Sequence, residues 1–157
     1  MPNRPRLLVA EDDENDIALL NLALQRAGVR AHVRFVRDGQ EALDYLEGVP
    51  PFSNRDHYPF PTLLLLDLKM PRLNGFDVLR WLRQHPELNR LTVIILSASD
   101  LPSDVNLAYD LGANSYALKP NNPQKLTDLA LSLERYWFEH HCFANCPSLP
   151  QRANKEA

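Results

Sequence analysis

Asp67 ends the apolar run Leu63–Leu66, within the stretch LLLLDLKMPRLNG. Such a run reads as a strand buried on both faces, so a carboxylate presented at its end is a candidate for chemistry. Three more acids, Glu11, Asp12 and Asp13, follow a second apolar run, RLLVA. Ser97 follows a third run, TVIIL, and Lys119 follows SYAL. Carboxylates, a hydroxyl and an ammonium thus all stand directly after strand-like segments. Carboxylates brought together repel and raise one another's pKa. Something cationic should hold them, either a hard divalent ion or Lys119. Mg²⁺ suits a few carboxylates completed by waters and a phosphate.

Taken singly, each residue has a plainer reading. Glu11, Asp12 and Asp13 suit the first turn of a helix. Asp67 could cap a helix, but Pro71 and a polar turn intervene, and Asn74 before Gly75 is the better cap. Ser97 could be a turn residue, and Lys119 a solvated one. Only their coincidence at strand ends argues for a site, because strand ends are rigid ground for one.

The elements that position them alternate. Strands are expected at Arg6–Ala10, His32–Val36, Thr62–Leu66, Thr92–Leu96 and Ser115–Leu118. Between them Ile17, Leu20, Leu24 and Ala27 recur at helical spacing, with Gly28 as a stop. Asp38 and Glu41 form a capping-box pattern for a helix to Glu47. Asn74-Gly75 opens a helix carrying Val78, Leu79 and Leu82, and another spans about Ser103 to Leu111 before Gly112. Asn122-Pro123 caps a long final helix. Five strand-helix units predict an α/β fold of the flavodoxin-like, doubly wound type, with helices on both faces of a parallel sheet. The first, third and fourth strands are nearly all apolar and should be central. The second alternates and the fifth is short and mixed, which suits edges. The order 2-1-3-4-5 satisfies this and puts the switch point between the first and third strands, where ligands bind. Gly48–Pro61, with four prolines and three aromatics, is expected to be a loop.

The chain has 157 residues, 45% hydrophobic and 24% charged, enough for one domain with a sizeable core. A net charge of -3 without a basic block disfavours nucleic acid and anionic membrane surfaces as partners. No apolar run has the length of a membrane span, and the N-terminus does not read as a signal peptide. A cytoplasmic protein with reduced thiols is the simplest expectation.

The motifs LLVAEDD, LLLLDLKMPRLNG, VIILSAS and SYALKP resemble the receiver domain of two-component response regulators. They cover residues 6–120, and a helix to about His141 resembles the family's fifth. The resemblance implies that Asp67 takes a phosphoryl group from a phosphohistidine on a sensor histidine kinase. It implies Mg²⁺ held by Glu11, Asp12, Asp67 and the backbone carbonyl of Lys69. Ser97 and Lys119 would meet phosphoryl oxygens, with a cis peptide before Pro120, and Tyr116 would be the switch aromatic. No organic cofactor is implied. Ser97 stands where threonine is commoner, and Asn121 where a hydrophobic residue often follows the K-P pair.

A receiver domain over residues 1–141 and a flexible tail over 142–157 are expected, leaving no room for a DNA-binding output domain. Output would come by protein contact or phosphate relay. The proline-rich loop and the aromatic RYWFEHH segment resemble stand-alone receivers associated with phytochrome-type kinases. In the last helix Leu126, Leu129, Ala130, Leu133 and Trp137 form a core stripe, while Leu131 and Phe138 lie on a second face. That face suggests a homodimer, or else a tail folded over it. His140, His141, Cys142 and Cys146 are zinc-type ligands without a zinc spacing and read as surface histidines and free thiols. Two other functions compete: an aspartyl-phosphate phosphohydrolase, which would want an acid where Lys69 stands, and an unphosphorylated receiver-like adaptor, which would lack a site residue.

Overall fold

The computed structural model describes residues 4–144. Five strands, β1 (Arg6–Ala10), β2 (His32–Val36), β3 (Leu63–Leu66), β4 (Thr92–Ser97) and β5 (Ser115–Leu118), alternate with five helices. The helices are α1 (Glu14–Arg26), α2 (Gly39–Glu47), α3 (Gly75–Gln84), α4 (Pro102–Asp110) and α5 (Pro123–Leu133). All pairings are parallel, in the order β2-β1-β3-β4-β5. Strand character foretold it: every residue of β3 and β4 is buried, whereas β2 and β5 are mostly half-buried edges.

The sheet separates two apolar layers. One gathers Leu8, Leu64, Leu66 and Ile95 with α2 and α3. The other gathers Leu7, Val9, Leu65 and Leu96 with α1 and α5, including Leu126, Ala130 and Leu133. The stripe expected on the last helix is therefore core, with Leu129 and Trp137 packed at its margin.

Helix ends follow local chemistry. Asn74 and Asp77 make a reciprocal capping box at α3. At α2 only half the expected box forms. The Asp38 side chain accepts from the Glu41 amide at 2.8 Å, while Glu41 reaches the Arg37 amide at 3.3 Å. Gly28 ends α1 with a φ of +68°, accessible to glycine at little cost.

Three features refine the expectations. The last helix widens after Leu133 into a π-helix over Glu134–His140. There Glu134 is buried and bonded to the Arg30 guanidinium at 2.8 Å. The widened turn leaves Phe138 half-buried against the second layer, so it is not the exposed residue its spacing suggests; Leu131 is half-buried too. The peptide before Pro120 is trans, against the cis form implied by resemblance; trans is the intrinsically favoured isomer, and the chain here runs straight into the Asn122 cap of α5.

The proline-rich segment is a loop, but an anchored one. Phe52 and Phe60 are buried, and Tyr58 packs edge to face on both Tyr45 and Phe52, which meet each other at a tilt. Arg6 donates to the Phe60 carbonyl, Arg34 to His57, and Arg55 to Tyr45, Leu46 and Tyr58. Cys142 is exposed and free, and His141 stacks between Trp137 and Phe143 rather than facing a second ligand. Cys146 and the tail beyond Ala144 lie outside the described residues.

Candidate functional site

Parallel strands deliver their C-terminal ends to one edge, and the acids meet there. Glu11 follows β1, with its amide bonded to the Val36 carbonyl of β2. Asp67 follows β3, with its amide bonded to the Ala10 carbonyl of β1. Carboxylate oxygens of Glu11, Asp12 and Asp67 all lie within 4.8 Å of one another. The Lys119 ammonium stands 2.7 Å from Glu11, 3.0 Å from Asp16 and 3.5 Å from Asp67.

Burial singles out the same place. Among the described residues five polar or charged ones are buried: Glu11, Asp67, Ser97, Thr92 and Glu134. Three of the five belong to this edge, although burying such groups costs free energy unless they are paired. The Asp67 side chain is displaced upward from the ordinary carboxylate range by burial, against the lowering pull of Lys119 and of the Lys69 amide. Burial pushes Glu11 up to about 7, the nearby Asp67 charge adding to the effect and the Lys119 bond opposing it. Burial alone would lower Lys119; its bonds to Glu11 and Asp16 outweigh that and hold it above the usual lysine range. Like-charge repulsion is thus secondary to desolvation.

The loop after Asp67 is held close by a glycine. The Gly75 amide bonds to the Leu68 carbonyl at 3.0 Å, and a Cβ on Gly75 would come 2.4 Å from the Asp67 carbonyl oxygen. No side chain fits there without moving the segment that carries Asp67.

On the other flank Ser97 closes β4, almost fully buried, and its hydroxyl accepts from the Ser99 amide at 3.1 Å. The Ser99 carbonyl accepts from the Tyr116 hydroxyl at 2.7 Å. Ser99 Oγ donates to Asp104 of α4 at 2.6 Å. One residue therefore connects the Ser97 hydroxyl, Tyr116 and the start of α4. The Lys119 amide bonds to the Ser97 carbonyl at 2.7 Å, carrying the β4–β5 register to the site.

The side chains of Glu11, Asp12, Asp67 and Lys119 converge, Ser97 adjoins them through the bond of its carbonyl to the Lys119 amide, and Tyr116 is linked to Ser97 through Ser99. The sequence reading missed two residues. Asp16 was one acid among several in the first turn of α1, and only the packing of that helix brings it to Lys119. Ser99 carries no distinctive signal at all.

Three carboxylates beside an ammonium and a buried hydroxyl can hold a hard cation and accept an electrophile. A response regulator receiver domain profile matches residues 7–131. The chain belongs to the response regulator receiver family. It is similar to response regulator Rcp1 of Synechocystis sp., 32% identical over 138 residues, covering 87% of this chain and 92% of that one. Among solved structures, response regulator RPA3017 in red light signaling of R. palustris is 39% identical with a TM-score of 0.85, covering 90% of this receiver and 99% of that chain. The phosphorylated cyanobacterial phytochrome response regulator RcpA is 32% identical with a TM-score of 0.83, covering 91% and 100%. The Mn(2+)-bound form of Rcp1 is 29% identical with a TM-score of 0.78, covering 90% and 100%. Among the described residues no helix is long and apolar enough to cross a membrane.

Proposed function

We propose that this receiver takes a phosphoryl group on Asp67 from a phosphohistidine of a sensor histidine kinase and passes the signal on by protein contact or relay. The observation that carries the reading is the buried Asp67 carboxylate, with Glu11 and Asp12 within 4.8 Å and the Lys119 ammonium at 3.5 Å. A carboxylate oxygen attacks phosphorus in line. The new O–P bond forms as the P–N bond breaks, and its electron pair leaves on the kinase imidazole. Lys119 neutralises charge on one phosphoryl oxygen, and Ser97 donates its hydroxyl proton to another. Glu11, Asp12, Asp67 and the Lys69 carbonyl would hold Mg²⁺, and the mixture of two buried carboxylates and one exposed carboxylate fits a cation that keeps several waters. When bound, the ion offsets charge on the phosphoryl group and the acceptor.

No acid of this chain stands where a phosphohydrolase would act on the leaving group, since that position is the exposed Lys69. Likeness to RPA3017 and RcpA supports a phytochrome-type kinase as partner. A homodimer through the last helix and the β4–β5 side is supported by the exposed apolar residues Leu101, Tyr109, Leu118 and Tyr136. A cytoplasmic setting accords with such a partner. The test is incubation with acetyl phosphate and Mg²⁺ followed by intact-mass measurement. One added phosphoryl group is expected, absent in Asp67→Asn; labelling of that variant at the wild-type extent would remove the assignment.

A further inference from the structure

At the opposite end of the sheet, where β1, β3 and β4 begin, lies a cleft of about 170 Å³ that phosphoryl transfer does not use. Two arginines, Arg6 and Arg90, line it, and none of its lining residues is acidic. Arg6 spends its Nε on the Phe60 carbonyl, and Arg90, exposed, makes no hydrogen bond or ion pair among the described residues. Thr62 and Thr92 add hydroxyls. Thr62 already accepts from the Arg6 amide at 3.1 Å, whereas the hydroxyl of the buried Thr92 bonds to no other described residue. Phe60 and Phe143 supply apolar wall.

We propose that this cleft is a binding site for a small oxyanion joined to a ring-sized apolar body, an aromatic carboxylate or phosphate monoester. Guanidinium groups are matched to such head groups and bind them through paired hydrogen bonds. Thr92, at the cleft wall, adds a hydroxyl donor for the head group, and the aromatic wall takes the ring. A cavity of about 150 Å³ already accepts benzene, so the volume suffices for a ring. The site is remote from Asp67, since strands of five residues hold the two ends roughly 16 Å apart. It still touches the last helix, because Phe143 packs on Trp137 with ring centroids 6.4 Å apart. Occupancy is therefore reported by Trp137.

The test titrates phenyl phosphate, benzoate and inorganic phosphate into the full chain without Mg²⁺. It reads calorimetric heat, and the emission of Trp137 in a Trp81→Phe background. One molecule of phenyl phosphate or benzoate should bind per chain, the tighter of the two identifying the head group. Arg90→Ala should weaken binding by roughly tenfold or more, as loss of a charge-assisted contact implies, and Arg90→Glu should abolish it. Both variants should keep their melting temperature and their labelling by acetyl phosphate, since Arg90 is exposed and far from Asp67. Lys119→Ala should bind as the parent does. Absence of binding at millimolar ligand, binding untouched by both Arg90 variants, or binding lost in Lys119→Ala would overturn the site. Inorganic phosphate binding as tightly as phenyl phosphate would overturn it too, because the apolar wall would then contribute nothing.

Discussion

Asp16 holds the Lys119 ammonium at 3.0 Å, closer than Asp67 does at 3.5 Å. The lysine proposed to meet a phosphoryl oxygen is thus already engaged by a helix α1 carboxylate. The pair is partly exposed, so its worth lies within about 0.2–1 kcal/mol. Asp16→Asn should therefore speed acetyl-phosphate labelling of Asp67, by at most about fivefold on that scale. Mass spectrometry of a labelling time course checks it. Slower labelling would mean that Asp16 positions the lysine rather than competing for it.

Gly75→Ala tests the approach of α3 to the acceptor. The added Cβ would meet the Asp67 carbonyl oxygen at 2.4 Å and Leu68 Cα at 2.9 Å, both backbone atoms. Overpacking of this kind costs about 1–3 kcal/mol, or about 2–4 °C in melting temperature per kcal/mol for a chain of this size. Labelling should fall as well, because relief requires the Asp67 segment to move. A variant that melts lower but labels at the parent rate would show that the loop yields elsewhere.

Metal affinity should divide the site residues by role. Asp12 is exposed and belongs to the acidic cluster, while the buried Ser97 hydroxyl faces the Ser99 amide. Asp12→Ala should weaken Mg²⁺ binding well beyond Ser97→Ala. Titration calorimetry of both variants checks this, and equal losses would count against the division.

Self-association is best probed at Leu118, which is 53% exposed on edge strand β5. Phe138 is a poorer probe, since a charge there also disturbs the core. Leu118→Asp should weaken a dimer while sparing the melting temperature and Asp67 labelling. On the proposed function a phosphoryl group on Asp67 would draw on the Ser97 hydroxyl, and Ser99, bonded to both that hydroxyl and the Tyr116 hydroxyl, would carry the change toward this surface. Coupling of this kind is worth roughly 1–3 kcal/mol, so beryllofluoride should shift dimerisation several-fold or more. Sedimentation velocity decides it, and a monomer under every condition would remove the dimer.

His32 gives the chain a pH dependence. Burial lowers its pKa, and Arg34, Arg4, His57 and Arg6 add to the lowering. An unfolded histidine takes up a proton near pH 6.5, and the folded one resists. Stability is therefore present above that value and is lost as pH falls through it. Glu11, raised to about 7, acts with the opposite sign over a similar range, so subtraction is needed. His32→Gln should melt with a shallower decline than the parent from pH 7.5 to 5.5. Parallel declines would remove the effect.

The sheet order was legible because each strand carries its own burial in its composition: LLLL has no polar face, whereas HVRFV has one. The site was legible for a related reason, since a parallel sheet puts all strand C-termini on one edge. Asp16 was not, because helical spacing does not tell which first-turn acid faces a lysine two elements away. Phe138 was misplaced by a π-helical widening, which shifts later side chains out of the 3.6-residue phase that sequence patterns assume. The loop over Gly48–Pro61 was legible as a loop, but its arginine anchors accept no pattern, since carbonyls are their partners.

Parallel strands also sort charge. Glu11, Asp12 and Asp67 gather where the strands end, while Arg4, Arg6, His32 and Arg90 stand where they begin. A net charge of -3 conceals this polarity. In the field of a partner that is electropositive around its phosphohistidine, the molecule experiences a torque as well as a pull. It turns its acidic end forward before contact, and the fraction of collisions that arrive productively oriented rises as salt is lowered.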